Sequence, residues 1–330
     1  MSSTTSSQDF ALAIDVGGTK VDIAFVDLRG NLLSPVGKFA VPFDDHHRAI
    51  PEELLDIFEP YLKKSHDLPG KLLGIGLSLC GNINTINGEA VLVPNLQWRY
   101  VPFGQMAKER FQVPVYASTD VRMAVLAEIL WGAAHNYRNF AWCTVGTGFG
   151  GYLYLNGKLY DGTHGFAGNF GHYTLDEING APCGCGRKGC FETFVSGPAI
   201  ARAGQRAAEE GKSEYLKAIS AERSITTRDV FSASSIGDPQ AGLIIDEVIR
   251  IISINLGGLT NILDLDIIVM GGGVVNASPD FVPRINQKIR EYLMTEEAIR
   301  DLKVVKESFE NSALIGAAAD VFLREKILSI

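Results

Sequence analysis

Two arrangements of strand, glycine turn and strand constrain this chain more than any other feature of its sequence. The run FALAIDVGGTKVDIAFVD contains the first turn, at Gly17, and WCTVGTGFGGYLYLNGKLY contains the second, at Gly148. Both turns lead from one apolar, β-rich run directly into another, which is typical of a hairpin and not of a strand followed by a helix. The repeat predicts two related α/β domains, and 330 residues are enough for both.

Helix and strand patterns after the first hairpin set the expected domain limits. The run DVRMAVLAEILWGA predicts a helix with Asp120 at its start, LDIIVMGGG predicts a buried strand, and ALIGAAADVFLREKIL predicts a closing helix from Ala313. No low-complexity linker separates the two domains. We place the boundary between them near residue 120. Residues 1–9 are expected to form a disordered tail, 10–120 a small N-terminal lobe, 121–312 a larger C-terminal lobe, and about 313–330 the closing helix.

The charge balance and the apolar runs argue against several partners. The chain has 30 Lys and Arg against 38 Asp and Glu, a net charge of −8, and its scattered basic residues form no surface for nucleic acid. The longest apolar region, Val248 to Met270, contains Arg250, Asp264 and Asp266 and is too polar to span a bilayer. The opening MSSTTSSQDF lacks the basic and apolar regions of a signal peptide. We expect a cytoplasmic protein with neither a membrane nor a nucleic acid partner.

The first glycine turn has the composition of an anion-binding loop. DVGGTK places an acid before two glycines, a hydroxyl and a lysine: Asp15, Gly17, Gly18, Thr19 and Lys20. Backbone N–H groups of such a turn can approach a phosphate while Asp15 orients a hydrated cation. An ordinary glycine hairpin accounts for the same residues equally well.

The second turn matches the dinucleotide pattern G-x-G-x-x-G in letters but not in context. A strand pattern follows GTGFGG, whereas a dinucleotide site needs a helix whose N-terminus holds the pyrophosphate. A second phosphate-binding hairpin fits better. The three glycines at 271–273, after the buried strand, could contact the base or ribose of a nucleotide. The residues of these two loops assigned to the nucleotide are Gly146, Thr147, Gly148, Gly150, Gly271, Gly272 and Gly273.

One histidine and three cysteines predict a structural zinc site. His172, Cys183, Cys185 and Cys190 supply the four donors of a closed tetrahedral site, with glycines between the cysteines for the tight turns. The alternative is a set of free surface thiols. With all four positions filled by protein, zinc would hold the loop and would not activate water. The remaining thiols, Cys80 and Cys143, lie in apolar runs and are expected to be inert.

Asp120 carries the expected chemistry, although its position also suits a helix N-cap. A phosphoryl-transfer enzyme acting on an alcohol needs a carboxylate to accept the hydroxyl proton, while Mg²⁺ and backbone dipoles neutralise the phosphate charge.

Taken together, these motifs resemble the ROK family of sugar kinases and sugar-responsive repressors, within the actin-like ATPase superfamily. DVGGTK resembles the first phosphate motif, VPNLQW at 93–98 the sugar-contact segment, STDVRMA the catalytic-aspartate segment and GTGFGG the second phosphate motif. GFAGNFGH at 165–172 and CGCGRKGCFET at 183–193 resemble the combined sugar and zinc signature. The resemblance is nearly full length.

The resemblance implies an ATP-dependent kinase that phosphorylates a hexose or amino sugar at the 6-hydroxyl, with Asp120 as general base. It implies two actin-like (ribonuclease H-like) lobes with a nucleotide and sugar cleft between them, the C-terminal helix returning to the first lobe, and a homodimer or homotetramer. ATP, Mg²⁺ and structural Zn²⁺ are the implied cofactors. The residues that it assigns to sugar binding are Gly81, Asn82, Asn95, Thr119, Asn169, His172 and Glu192, with His172 serving both sugar and zinc because an imidazole has two nitrogens.

Two departures from the family pattern fall among the sugar contacts. Thr119 stands where the family usually has Asn, and Asn169 where it has Glu, so recognition near C1 and C2 should differ from that of glucose or N-acetylmannosamine kinases. These departures motivate an alternative, a catalytically silent sugar-binding protein of the same fold. A DNA-binding repressor is the less favoured alternative, because only 14 residues precede Asp15 and a helix-turn-helix domain needs more.

Overall fold

The described residues, 8–163 and 167–330 of the computed structural model, form two compact units. The first contains Met1–His135 with Ser308–Ile330, and the second contains Asn136–Glu307. The first unit therefore extends past the boundary expected near residue 120. Residues 1–7 of the expected tail lie outside the described residues, whereas Asp9 is buried and its Oδ1 accepts a hydrogen bond from the backbone N of Lys71 at 3.0 Å.

In the part of the chain that the structure describes, the first unit is built on two sheets and four α-helices. Its strands are β1 Phe10–Val16, β2 Lys20–Asp27, β3 Gly37–Ala40, β4 Leu72–Leu79, β5 Asn82–Asn84, β6 Glu89–Val93, β7 Trp98–Val101 and β8 Val115–Thr119. Its helices are α1 Pro51–Lys64, α2 Phe103–Phe111, α3 Asp120–Leu130 and, from the C-terminal segment, α11 Ser312–Arg324. The main sheet has the order β3-β2-β1-β4-β8, and β5, β6 and β7 form a small second sheet.

The second unit repeats the strand order of the first. Its strands are β9 Phe140–Val145, β10 Phe149–Leu155, β11 Lys158–Tyr160, β12 Ile267–Gly271 and β13 Lys303–Lys306, in the order β11-β10-β9-β12-β13. Its helices are α4 Glu192–Val195, α5 Gly197–Glu209, α6 Glu214–Ser220, α7 Thr227–Ser235, α8 Pro239–Leu263, α9 Phe281–Lys288 and α10 Glu296–Asp301. In each unit an antiparallel hairpin opens the sheet and two parallel strands complete it.

This topology agrees with the two hairpins predicted from the glycine turns. Gly17 and Gly18 connect β1 to β2, and Gly146 to Gly148 connect β9 to β10. The absence of a helix after GTGFGG confirms that the second turn is not a dinucleotide-binding motif of the Rossmann type. Each unit buries its own apolar core, one around Phe10, Phe25 and Trp98 and the other around Phe191 and Phe281.

The C-terminal helix α11 packs into the first unit, as expected, and begins at Ser312 instead of Ala313. Buried Asp320 accepts hydrogen bonds from Arg122 of α3 and from Arg324, each at 3.0 Å. Gly316 lies so close to α3 that a side chain there would overlap the carbonyl group of Met123. This contact with α11 explains why α3 belongs to the first unit.

Glu128 joins the two points at which the chain leaves and re-enters the first unit. It is fully buried; its Oε1 accepts a hydrogen bond from the backbone N of Ser308 at 2.6 Å, and its Oε2 accepts one from Ala133 N at 2.7 Å. A buried carboxylate held by backbone donors fixes both segments against α3. Among the residues that the structure describes, no helix is both long and apolar enough to cross a membrane.

Two helical glycines are expected to respond oppositely to substitution by alanine. Gly316→Ala should destabilise the protein by about 3 kcal/mol, because the new methyl group meets backbone that cannot move without separating α11 from α3. Gly242→Ala in α8 should stabilise it by roughly 0.5–1 kcal/mol, because the space there is open and alanine loses less entropy in a helix. Thermal and urea unfolding give the free energy of unfolding of each variant. An equal change in the two variants would contradict the close contact at Gly316.

Candidate active site

The first glycine turn places Asp15 near the Ser78 hydroxyl and two further carboxylates of the first unit. Gly17 N donates to Lys20 O at 2.9 Å and closes the turn, and Asp15, near the end of β1, accepts a hydrogen bond from Ser78 Oγ of β4 at 2.6 Å. The pKa of Asp15 is raised to about 6, mainly by burial and also by the charges of Asp120 and Asp22. The hydrogen bond from Ser78 acts in the opposite direction. The turn therefore combines backbone N–H groups with a carboxylate that lies among other carboxylates.

The sugar-contact segment lies directly against this turn. Asn95 belongs to a single 3₁₀ turn, Pro94–Leu96, and a Cβ atom on Gly18 would be 3.0 Å from the Asn95 Cβ. Any residue other than glycine at position 18 would therefore displace Asn95. Gly18, which the sequence assigned to the nucleotide, and Asn95, which it assigned to the sugar, are therefore neighbours in the structure.

Cys80 also borders this region, which the sequence did not predict. The pKa of the Cys80 thiol is raised to about 11, first by burial and then by the charge of Asp120, while the neighbouring Asn95 side chain lowers it. Cys80 directly precedes Gly81 and Asn82, which were both assigned to the sugar. That position in the sequence could have indicated that Cys80 lies near the site. Gly81 has φ +131° and a Cβ atom there would be 2.7 Å from Leu92 O, so only glycine fits this turn into β5.

Asp120 is the first residue of α3, and its carboxylate is not the helix cap. Thr119 is the N-cap, and its Oγ1 accepts a hydrogen bond from Arg122 N at 3.2 Å, so the N-cap interpretation of Asp120 was wrong. Asp120 Oδ1 accepts from Val121 N at 2.8 Å, which orients the carboxylate, and burial raises its pKa. A buried carboxylate with a raised pKa is a stronger base than an exposed aspartate.

In the second unit, the second glycine turn meets the start of α5. Gly146 N donates to Gly148 O at 3.0 Å, and Gly197 N at the first position of α5 donates to Gly146 O at 2.8 Å. A Cβ atom on Gly146 would meet nothing within 4 Å, so the turn has open space beside it. The partial positive charge at the N-terminus of α5 favours an anion beside this turn, although Gly197 N–H is already used and Pro198 has no N–H to donate.

The third glycine loop lies next to the second. Val274 N, directly after the loop, donates to Val145 O at the end of β9. Gly272 has φ +97° and its N–H donates to Glu307 Oε1 at 3.2 Å, whereas a Cβ atom on Gly273 would meet nothing within 4 Å. The structure therefore brings both glycine loops assigned to the nucleotide together within one unit.

The four predicted zinc ligands converge in the second unit. The donor atoms of His172, Cys183, Cys185 and Cys190 all lie within 4.8 Å of one another, and His172 presents Nδ1, 3.6 Å from Cys183 Sγ. Arg187 lowers the pKa of Cys185 to about 6, which favours the thiolate that zinc binds. One imidazole and three thiols at this spacing fit a closed tetrahedral zinc site.

Glu192 connects this cluster to the second glycine turn. Its Oε1 accepts a hydrogen bond from Cys183 Sγ at 2.9 Å and lies 3.6 Å from His172 Nδ1, while its Oε2 accepts one from Phe149 N at 3.3 Å. A Cβ atom on Gly148 would be 2.5 Å from the same Oε2. The sequence assigned Glu192 only to the sugar, and its link to the turn was missed.

Asn169 directly precedes the 3₁₀ turn Phe170–His172, and its carbonyl accepts a hydrogen bond from His172 N at 3.1 Å. The Phe170 ring occupies the space next to Gly151, so this segment packs against the start of β10. Of the predicted signature at 165–172, residues 165 and 166 lie outside the described residues.

A model of the ROK family matches residues 11–323 of the chain. This chain belongs to the ROK family. A glucokinase of Halalkalibacterium halodurans is 32% identical over 296 residues, which cover 88% of each chain.

Solved ROK family structures have the same fold. A ROK family glucokinase from Streptomyces griseus, in complex with glucose and AMPPNP, superposes with a TM-score of 0.75 at 26% identity, covering 94% of this chain and 98% of that one. A ROK family transcriptional regulator, a homologue of the E. coli MLC protein, gives a TM-score of 0.84 at 26% identity, over 96% of this chain and 78% of that one. The fold class predicted from the sequence, α/β with two actin-like lobes, is confirmed, and the family contains both kinases and regulators.

Proposed function

We propose that this ROK family chain is a kinase that transfers the γ-phosphoryl group of ATP to the 6-hydroxyl of a hexose or amino sugar, with Asp120 as general base. The ATP-dependent carbohydrate kinase class is supported by the glucokinases among its relatives, one of them solved with glucose and AMPPNP. The position of Asp120 carries the proposal. Asp120 is free of the capping role, is oriented by Val121 N, and interacts electrostatically with Asp15 of the first glycine turn.

In this mechanism, Asp120 accepts the proton of the sugar hydroxyl as that oxygen attacks the γ-phosphorus. The proton transfer keeps the attacking oxygen from accumulating positive charge as its bond to phosphorus forms. Asp15 would hold Mg²⁺, which when bound to the nucleotide neutralises phosphate charge. Backbone N–H groups of Gly18 and Thr19 would contact the phosphates, because the Gly17 N–H already donates to Lys20 O.

In the second unit, the two glycine loops are the nucleotide contacts that we propose. The open turn at Gly146 and the N-terminus of α5 suit a phosphate, and the open Gly273 suits a ribose or base. In both loops the absence of a side chain allows the ligand to approach the backbone.

In the first unit, the sugar contacts that we propose are Asn82, Asn95 and Thr119. In the second unit, they are Asn169, His172 and Glu192. Thr119 Oγ1 already accepts the helix-capping hydrogen bond, so we expect its hydroxyl to act on the sugar mainly as a donor. His172 would offer zinc the Nδ1 that faces the cysteines and offer the sugar its other nitrogen. A zinc ion with four protein ligands would hold this segment and Glu192 in place. The assembly into a homodimer or homotetramer remains part of the proposal.

The deciding experiment measures ADP formation by the purified protein with MgATP against hexoses, N-acetylated hexosamines, amino sugars and β-glucosides. A single responsive sugar, phosphorylated at its 6-hydroxyl as judged by NMR of the product, is the expected result. The alternative is the silent sugar-binding protein, motivated by Thr119 and Asn169. Calorimetry that detects sugar binding while MgATP yields no product would favour that alternative.

A further inference from the structure

We propose that Asp22 is a second carboxylate of the divalent-cation site at the first glycine turn, and that Asp15 and Asp22 together bind the ion before the nucleotide arrives. This inference rests on the proposed kinase function only where it concerns the nucleotide. The site itself is argued from the position, burial and charge of the two side chains.

The hairpin places the two carboxylates side by side. Asp15 of β1 is directly opposite Asp22 of β2, and on its other side Asp15 pairs with Ser78 of β4. Side chains of directly opposite residues project from the same face of a sheet, with Cβ atoms about 5 Å apart. The two aspartates and the serine therefore form a polar row across three strands.

Asp22 is buried with one oxygen unsatisfied. The residue is 6% exposed, and among the described residues no hydrogen-bond donor reaches its Oδ1. Its Oδ2 lies 3.9 Å from Lys20 Nζ, but the Lys20 side chain is 66% exposed, so this ion pair is weak. A buried carboxylate oxygen without a partner is unfavourable, and a cation or a donor is what relieves it.

The charges around this oxygen favour a cation. The charges of Asp22 and Asp120 both act unfavourably on the Asp15 carboxylate, and Lys20 is the cation that acts on it favourably. The Ser78 hydroxyl donates its hydrogen to Asp15 and leaves its lone pairs as further acceptors. Hard oxygen donors of this kind suit Mg²⁺ or Mn²⁺, which proteins commonly hold by one or two carboxylates together with water.

This arrangement also predicts an order of binding. Without a cation, the carboxylates repel an approaching triphosphate, so an ion already bound between Asp15 and Asp22 would turn repulsion into attraction. A protein with Asp15 alone at this turn would acquire the ion mainly together with the nucleotide.

The test measures metal binding by the full-length protein in the absence of any nucleotide. Mn²⁺ is titrated and the free ion followed by electron paramagnetic resonance. We expect one Mn²⁺ per chain, binding weakened at least tenfold in both Asp22→Asn and Asp15→Asn, and no change in Asp45→Asn, which removes an exposed charge from the same unit. Circular dichroism and thermal unfolding establish that each variant is folded, and Asp22→Ser replaces Asp22→Asn if the amide variant does not fold.

Binding to Asp22→Asn that equals the wild type, or a wild-type protein that binds no Mn²⁺ without nucleotide, would overturn the proposal. Because this measurement needs no turnover, its outcome is separate from that of the sugar panel. A protein inactive on every sugar could still bind Mn²⁺ through Asp22, and an active kinase could lack this site.

Discussion

Asp120→Asn is expected to fold like the wild type, to bind sugar and MgATP, and to lower kcat by about 10³-fold or more. The amide has nearly the same shape and can still accept the hydrogen bond from Val121 N, so α3 should begin as before. What it loses is the ability to accept the proton of the sugar hydroxyl. Steady-state kinetics with the responsive sugar, combined with calorimetry of sugar binding, separates these effects. A variant with near-normal kcat would remove Asp120 from the role of base.

The same carboxylate sets the expected pH dependence. A general base works deprotonated, so kcat/KM should fall as the pH is lowered through its pKa, and burial places that pKa above the ordinary aspartate value of 3.8. A cation bound at Asp15 lowers the pKa of that carboxyl, so at saturating Mg²⁺ the acidic limb should report Asp120. The residual activity of Asp120→Asn should therefore lose this limb. An unchanged acidic limb in this variant would contradict the assignment.

Zinc removal is the second change with a large expected effect. We expect one tightly bound zinc ion per chain, and chelation should lower the melting temperature by about 10 °C. Loss of a ligand present at a thousandfold its dissociation constant costs about 4 kcal/mol, and each kcal/mol shifts a unit of this size by roughly 2–4 °C. Activity should fall at the same time, because zinc would fix Cys190, two residues before Glu192, and Glu192 Oε2 accepts a hydrogen bond from Phe149 N beside the second glycine turn.

Matched cysteine variants provide the control. Cys190→Ser should abolish zinc binding and reproduce the effect of the chelator, whereas Cys143→Ala should retain the ion, because Cys143 is buried in β9 outside the cluster. Metal analysis, differential scanning calorimetry and turnover are measured on each variant. Finding no zinc in protein prepared under reducing conditions would remove the structural role of these four residues.

Local patterns in the sequence were sufficient for the hairpins and for the metal cluster. Both glycine turns lie between strands, and the strands pair in the predicted antiparallel way, because the turn itself sets the register of the residues on either side. The four zinc donors lie within 19 consecutive residues in the printed sequence, with glycines between them, so short-range spacing alone brought them to one place. The register of the first hairpin would also have identified Asp22, since Asp15 and Asp22 are equally far from the centre of the turn.

Long-range contacts decided what the sequence left open. The position of Cys80 beside Asn95 depends on how the end of β4 meets a turn from a distant part of the chain. The extension of the first unit to His135 follows from the contact of α3 with α11, which begins nearly 200 residues later in the chain.

The sequence by itself therefore determined the two glycine hairpins and the cluster of His172 with three cysteines, because each depends on neighbours in the chain. Only the tertiary structure placed Gly18 against Asn95, linked Glu192 to both the cysteines and the second turn, and buried Asp22 with an unsatisfied oxygen. Those features depend on packing between elements distant in sequence, or on the loss of water from a side chain, and no local pattern encodes either.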